Sequence, residues 1–194
     1  MSPKFSARLL TGIAVVLITA TLTAKAAPRF GRAQVTTLIG KADYLLQGRD
    51  WKPMRRGTVL TEGASSRTGT NSVAEMALTT AAQIRITQNT IIRFDQLREQ
   101  TEGLPQAGQP RHGVTSLELE RGKVLVRAKA PTEKSSFAVT TRSCLSEVRG
   151  FGAYSVYLMN NRACVRVLDQ TVTVLIRGRS DPVVLQAGQQ LCVE

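Results

Sequence analysis

Apolar and polar residues alternate one by one through most of the chain beyond residue 40, and this pattern leaves little room for helices. Ile84 and Ile86 alternate with Gln83 and Arg85, and residues 171–176 repeat the same two-residue period. Successive side chains of a β-strand point to opposite faces of a sheet, so this period predicts strands with one buried face. The valines and isoleucines in these runs favour the same conformation.

Turn-forming residues separate the alternating runs at short intervals. Glycine supplies the positive φ angles of tight turns, and asparagine tolerates them. Residues 155–159 and 162–168 flank an Asn-Asn pair and are predicted to form a hairpin. Residues 99–113 combine glycines with prolines and are predicted to form one long loop. The clearest turn signals are Gly40, Gly57, Gly63, Gly69, Asn160, Asn161, Gly178 and Gly188.

Many short strands of this kind predict an all-β domain. Two architectures fit: a compact β-solenoid, in which each coil stacks on the previous one, or a sandwich of two sheets. A chain of 194 residues suits one domain after a leader. We assign residues 1–27 to a signal peptide forming an N-terminal signal helix, residues 28–39 to a lead-in, and residues 40–194 to the all-β domain.

The first 27 residues have the three parts of a secretory signal peptide. Lys4 and Arg8 form a basic segment, and residues 9–24 form an apolar run that is short for a membrane-spanning helix. Ala24-Lys25-Ala26 supplies the small residues that a signal peptidase needs. The expected location is therefore periplasmic or secreted. The alternative is a protein anchored in the membrane by an uncleaved leader.

The chain is basic, with a formal net charge of +12 at pH 7. Cleavage of the leader removes Lys4, Arg8 and Lys25 and no acidic residue, which leaves a net charge of +9. Such a surface favours anionic partners. Only 5% of the residues are aromatic, which is too few for base-stacking platforms, so nucleic acid is not an expected partner. An anionic envelope polymer, such as lipopolysaccharide or an acidic glycan, remains a candidate ligand.

Three cysteines remain beyond the leader: Cys144, Cys164 and Cys192. An oxidising compartment permits one disulfide and leaves one thiol, and the sequence leaves all three pairings open. A metal site is disfavoured, because no C-x-x-C motif or histidine pair accompanies the cysteines. His112, the single histidine, falls within the predicted loop.

No catalytic constellation is present in the sequence. One histidine does not build a Ser-His-Asp or Cys-His arrangement. Glu118 and Glu120 would share a face of a strand, but Arg121 and Lys123 beside them indicate a solvated, charge-balanced surface rather than a catalytic carboxylate pair. Phosphate-loop and dinucleotide fingerprints are missing too. We expect a protein that is not an enzyme and that uses no cofactor.

An ordered set of short motifs runs through the second half of the chain and part of the first. It comprises a Trp, a Gly turn with Leu60-x-Glu62-Gly63, Arg67-Thr68-Gly69-x-Asn71-Ser72, Leu119-x-x-Gly122-x-Val124, Phe137-x-Val139-x-Thr141, Val148-Arg149-Gly150 and Ala187-Gly188-Gln189. This set resembles the FecR domain family over most of residues 40–194. The motif residues, which we expect to be structural, are Trp51, Gly63, Arg67, Gly69, Gly122, Val148, Arg149, Gly150 and Gly188.

Two positions depart from the family pattern. Phe151 occupies the place of the usual Thr after the Arg-Gly pair, and Gln170 stands where the family usually turns on Gly. Arg149 admits two interpretations. It either contacts an anion or partner, or it lies half-buried and donates to carbonyl groups between strands, and we favour the second because guanidinium has five donors.

The resemblance implies an extracytoplasmic interaction module. In the best-known members this domain is the periplasmic part of a membrane-spanning sigma-factor regulator, which receives a signal from an outer-membrane transporter. That role requires a cytoplasmic anti-sigma segment, and the leader here is expected to be too short for one. The expected function is therefore an exported, non-enzymatic module for protein interaction, envelope scaffolding or signal-related binding. Binding of an anionic envelope polymer is the alternative.

The leader gives the first testable prediction. Export should remove it near Ala26 or Ala27, because Ala24-Lys25-Ala26 follows an apolar run too short to span a bilayer. Mass spectrometry of the native N-terminus checks this. A chain from the membrane fraction that still begins at Met1 or Ser2 would identify an anchor instead.

Overall fold

The computed structural model describes residues 29–46, 48, 50–100, 112–142, 145–159 and 162–194, and this part of the chain is all-β, as predicted. The expected signal helix lies outside the described residues. Within them, no helix has the length and apolar character needed to cross a bilayer. The strands are β1 (Arg29–Phe30), β2 (Ala33–Ile39), β3 (Ala42–Leu45), β4 (Lys52–Pro53), β5 (Val59–Leu60), β6 (Ser65–Thr68), β7 (Val73–Leu78), β8 (Ala82–Ile86), β9 (Ile91–Gln100), β10 (His112–Ala128), β11 (Ser136–Thr141), β12 (Leu145–Gly150), β13 (Gly152–Met159), β14 (Arg162–Asp169), β15 (Thr171–Ile176), β16 (Val183–Gln186) and β17 (Gln190–Val193).

The strands form two sheets that share β10. Sheet A has the order β4–β3–β6–β9–β10–β11–β12–β15–β16, and β1 pairs with the far end of β9. Sheet B has the order β5–β2–β7–β8–β10–β13–β14–β17. Every described pairing is antiparallel except that of β10 with β11. The first half of β10 belongs to sheet A, and its second half belongs to sheet B.

The chain crosses repeatedly between the two sheets. The fold therefore combines features of both predicted architectures, the β-solenoid and the sandwich. Strands β6 and β7 form one bent arm and β8 and β9 the next, so that β6 pairs with β9 in sheet A while β7 pairs with β8 in sheet B. Strands β12 to β15 repeat this arrangement. Neighbouring arms therefore stack like the coils of a solenoid, while their two sheets face each other as in a sandwich.

The inward faces of both sheets supply one apolar core. Alternating residues are buried in many of the strands; in β8, Ala82, Ile84 and Ile86 face inward, while Gln83 and Arg85 are exposed. The largest fully buried side chain is that of Tyr154, whose hydroxyl has no hydrogen-bond partner among the described residues. Burial raises the pKa of this hydroxyl far above its ordinary value, so Tyr154 is neutral and serves as core.

Strands extend into two segments for which the sequence predicted none. Strand β2, within the predicted lead-in of residues 28–39, pairs with β7 and buries Ala33 and Val35 in the core. The predicted loop at residues 99–113 is shorter than expected at both ends. Strand β9 continues to Gln100, and His112 begins β10 instead of lying in a loop. Polar residues at these strand ends pair with each other, His112 with Gln100, which the apolar period cannot reveal. The predicted hairpin of β13 and β14 is present, with Met159 opposite Arg162.

Residues with positive φ mark the corners where the chain passes between the sheets. A left-handed residue turns the backbone sharply, and glycine accepts this conformation without the steric cost of a Cβ atom. Gln170 keeps a positive φ of 64° at the position where the family usually has glycine. The corner residues are Gly40, Gly57, Asn71, Asn89, Gly122, Gly150, Gly152, Gln170 and Gly188.

Gly122 combines this conformation with a close approach. Its φ is +87°, and a Cβ atom there would lie 2.6 Å from Cα of Thr90 in the neighbouring corner. The Thr90 hydroxyl accepts a hydrogen bond of 2.9 Å from the Lys123 amide, which holds the two corners together. Gly188 has a similar φ of +86° but nothing within 4 Å of the same position. Comparing a substitution at Gly122 with one at Gly188 therefore separates two destabilising effects: the strain of a left-handed backbone and the steric clash with Thr90.

We predict that Gly122→Ala lowers the free energy of unfolding by about 3 kcal/mol, since conformational strain and overpacking act together. Gly188→Ala, the matched control, should cost about 1 kcal/mol from the left-handed conformation alone. Urea unfolding of both variants and the wild type measures the difference. Equal losses in the two variants would show that the contact with Thr90 contributes nothing.

Candidate functional site

Two of the motif residues, distant in sequence, meet at the β4 end of sheet A. The Arg67 guanidinium lies 4.4 Å from the centroid of the Trp51 ring, and its Nε lies 2.9 Å from Oδ2 of Asp43. Arg67 and Asp43 are cross-strand partners on β6 and β3. A cation over an aromatic face and an ion pair each add stability. The cluster ties the segment before β4 to the inner strands, which supports a structural role for both residues.

The turn that contains Gly63 is held by a second cluster. Glu62 accepts hydrogen bonds from both Nε and Nη2 of Arg98, at 2.7 and 2.6 Å, and from the Leu97 amide at 3.2 Å. The Gly63 amide donates to the Phe94 carbonyl at 2.7 Å. The hydrogen bond from Arg98 is the main reason that the pKa of Glu62 lies below its ordinary value, and the Leu97 amide adds to the effect.

Arg149 lies in a different environment from the one expected. Its side chain is 62% exposed on the outer face of sheet A, where Nε donates to Glu147 at 2.7 Å. Val148, its neighbour, is fully buried, so the alternation of β12 directs Arg149 to solvent. Gly150 allows the adjacent corner to approach, because a Cβ atom there would lie 2.9 Å from the Thr171 carbonyl oxygen. Val148 is therefore part of the core and Gly150 lies against the adjacent corner, while Arg149 lies at the surface, paired with Glu147.

Arg93 and Arg142 on this outer face are also paired with acids. Arg93 contacts Asp95 at 2.6 Å and Glu118 at 2.7 Å, and Arg142 binds Glu118 from the other side. The Glu118 side chain is only 7% exposed. The surface is charge-balanced as expected, but Glu118 is enclosed by two guanidinium groups instead of solvated.

On the outer face of sheet B, Arg85 pairs with Glu75 at 2.8 Å, but cations at the other end of the face are unpaired among the described residues. A groove of about 660 Å³ crosses it, and none of the residues that line it is acidic. Within the described chain, Arg121, Lys123 and Arg166 form no ion pair; Lys123 lies 5.9 Å from the centroid of the Tyr157 ring. We call this surface the basic groove; its polar lining includes Asn89, Arg121, Lys123, Tyr157, Arg166 and Gln190.

A disulfide joins Cys164 of β14 to Cys192 of β17, beside the basic groove. The two cysteines are cross-strand partners, and Cys164 is fully buried while Cys192 is exposed. Cys144, the third candidate, lies outside the described residues. No group of three or more His, Cys, Asp or Glu side chains placed to hold a metal ion occurs in the described segments.

The two ends of the molecule present different sheet edges. At one end, β4 and β5 are two-residue strands, and β4 carries Lys52 and Pro53, which discourage pairing. At the other end, β16 and β17 have four residues each, and no described strand pairs with their outer sides. Strand β16 contains no charged residue, and Val184 is 58% exposed. We call β16 the open edge.

Neither the basic groove nor the open edge was predicted from the sequence. Lys123 and Arg166 come from strands far apart in the chain, and no run of like charges marks them. The signal for the open edge was available, since Val183-Val184-Leu185 is an apolar run without alternation near the end of the domain. The run does not indicate that only one described strand, β15, pairs with this segment.

The Glu62 cluster generates a pH-dependent prediction. Because the folded pKa of Glu62 is below the ordinary value of 4.5, its stabilisation is complete above pH 4.5 and is lost as the pH falls through the folded pKa. Glu62→Gln should therefore lower the free energy of unfolding by about 1 kcal/mol at pH 7, and the difference from wild type should shrink below pH 4.5. Urea unfolding from pH 7 to pH 3 measures this. Glu133→Gln, an exposed control, should follow the wild type at every pH, and a constant Glu62→Gln deficit would contradict the assignment.

A sequence model of the family described as FecR protein matches residues 64–173, more than half of the chain. Among solved structures, the chain is similar to a crystal structure at 1.65 Å resolution of a "putative anti-sigma factor" from Parabacteroides distasonis ATCC 8503. The TM-score is 0.50, with 17% sequence identity over 66% of this chain and 54% of that chain. A second crystal structure of the same description, at 2.50 Å resolution, has a TM-score of 0.49 with the same identity and coverage.

No curated protein matches the chain. The chain spans about half the length of the crystallised protein, 54%, and at this identity the likeness concerns the fold alone. The fold and the motif clusters described above agree with the match over residues 64–173, which shows that the chain belongs to the FecR protein family.

Proposed function

We propose that the protein is an exported, non-enzymatic FecR module that binds a protein partner in the cell envelope through the open edge. The observation that carries the proposal is the outer side of β16, with which no described strand pairs, together with its exposed Val184. A strand edge presents a row of amide and carbonyl groups, and a partner strand can complete them. Main-chain hydrogen bonds supply affinity, and side chains such as Val184 supply specificity.

The contrast between the two ends of the molecule supports this assignment. Natural sheets protect exposed edges with short strands, lysine and proline, as β4 does. Strand β16 contains neither lysine nor proline and is twice as long as β4. An apolar edge strand of this kind is prone to pair with strands of other chains. An edge left unprotected at one end only is expected where a partner covers it.

Export is part of the proposal. The leader has the segments of a signal peptide, and the disulfide between Cys164 and Cys192 suits an oxidising compartment such as the periplasm or the exterior. We therefore place the mature protein in the periplasm or outside the cell. A membrane association would require that the leader is retained.

A regulatory role follows from the family more than from the geometry. The crystallised protein of similar fold is described as a "putative anti-sigma factor", and a domain of this kind would contribute the partner-sensing part of such a system. We assign to this chain binding of a protein partner, without the contact to a sigma factor.

The test is a pull-down from envelope extract at low and high salt with three forms of the protein. Val184→Lys places a charge on the open edge and should abolish capture of the partner, since lysine on an edge opposes strand pairing. Val59→Lys is the matched control, because Val59 is a 44% exposed valine on the protected edge strand β5. Wild type and control should retain the partner at 1 M salt, where charges are screened within about 3 Å.

Two results would contradict the proposal. Capture by Val184→Lys equal to wild type would remove the open edge from the interface. Loss of every partner at high salt, together with salt-sensitive binding to purified lipopolysaccharide or acidic glycan, would favour the anionic-polymer alternative.

A further inference from the structure

The basic groove holds cations that have no acidic partner among the described residues. Arg121, Lys123 and Arg166 line it, and no described carboxylate pairs with them. Most other arginines with a printed contact bind an acid: Arg67, Arg93 and Arg149 on sheet A, and Arg85 and Arg162 on sheet B. The groove therefore gathers cations whose charge no described acid neutralises, and these are available to an anionic ligand.

The register of the strands brings these cations to one place. Lys123 lies opposite Tyr157, and Ser155, two residues earlier on β13, lies opposite Arg166. With strands about 4.8 Å apart and about 3.3 Å per residue, the Cα atoms of Lys123 and Arg166 are roughly 12 Å apart. Both long side chains can therefore reach a ligand seated over Ser155 and Tyr157. Arg121 approaches it from the corner at the end of the groove.

Uncharged hydrogen-bond donors complete the groove. The Gln190 amide nitrogen donates to the Tyr157 hydroxyl at 3.3 Å, which fixes both side chains at the floor. Asn89 sits on the β8–β9 corner, with its backbone held at a φ of 53° by the turn. The corner itself is rigid, because the Thr90 hydroxyl bonds the Lys123 amide at 2.9 Å. Lys123 and Arg166 therefore lie on a surface whose side chains are already held in place by hydrogen bonds without a ligand.

We propose that the basic groove is a binding site for a phosphate group carried on a polar ligand. Three cations without an acid match a group with two negative charges better than a singly charged carboxylate. Arginine presents its donors as a planar fork that fits phosphate oxygens, and lysine adds a point charge. This site is separate from the open edge, so the inference does not depend on the protein partner proposed above.

The experiment titrates the mature protein with inorganic pyrophosphate by calorimetry at constant ionic strength, with acetate as the singly charged comparison. Wild type should bind pyrophosphate more tightly than acetate. Lys123→Gln/Arg166→Gln should weaken the pyrophosphate affinity about tenfold or more, because each removes a charge-assisted hydrogen bond. Arg55→Gln/Arg127→Gln is the matched control. It removes the same charge from exposed arginines that do not line the groove and should bind like wild type.

Nuclear magnetic resonance on the wild type gives a measurement that does not depend on the variants. Pyrophosphate should shift the amide signals of Lys123, Tyr157 and Arg166, and leave those of the Arg93–Glu118 network in place. Vesicles with an anionic phospholipid form the second arm. Vesicle binding that is lost in Lys123→Gln/Arg166→Gln assigns the phosphate to a lipid headgroup. Binding of pyrophosphate without binding of vesicles assigns the phosphate to a soluble or glycan-borne ligand.

Three results would overturn the proposal. The first is pyrophosphate binding that the groove and control variants weaken equally, which would reflect net charge only. The second is acetate binding as tight as that of pyrophosphate at equal ionic strength. The third is the lack of amide shifts at the groove at millimolar pyrophosphate.

Discussion

Close packing of neighbouring corners is the constraint on which the two-sheet architecture depends. Each arm bends sharply so that one of its strands joins sheet A and the other joins sheet B. The neighbouring arm must bend beside it, because otherwise the strands of the two arms could not pair in both sheets. The corners therefore stack against one another at the spacing of adjacent strands. Where Gly122 meets Thr90 and Gly152 meets the Asp169 carbonyl, a Cβ atom would lie within 2.6 Å or less of the neighbouring corner. The sheets keep their register because these positions carry no side chain.

The bent arms also separate the charges of the protein. Since the inward faces are apolar, all charged residues of the strands must lie on one of the two outer faces. On sheet A, acids and arginines alternate across neighbouring strands and neutralise one another, as in the Arg93–Glu118–Arg142 network. On sheet B, Glu75 pairs with Arg85, whereas Lys123 and Arg166 stand opposite uncharged Tyr157 and Ser155. Part of the excess positive charge is thus gathered in the basic groove, which the scattered positions in the sequence do not suggest.

The sequence predicts the strands well because the two-residue period reports burial directly. It also locates several corners, since Gly40, Gly57 and Gly188 are turn signals in the sequence and have positive φ in the structure. It does not predict which sheet each run joins, because that depends on contacts between distant arms, such as Trp51 with Arg67. The exposure of Arg149 could have been predicted: it follows from the alternation once Val148 is recognised as core. Near His112 the paired strands end in polar residues. The alternation of apolar and polar residues therefore ends before the strands do, and the sequence places the strand ends too far from His112.

The covalent link between Cys164 and Cys192 has a mechanical consequence. Strands β15 and β16 lie within the loop that this bond closes, a separation of 28 residues. Tension applied to the chain at the end of β17 passes through the sulfur atoms into β14, which is paired on both sides within sheet B. The load bypasses β15 and β16 entirely. The open edge can therefore pair with another strand while β14 and β17 carry the tension.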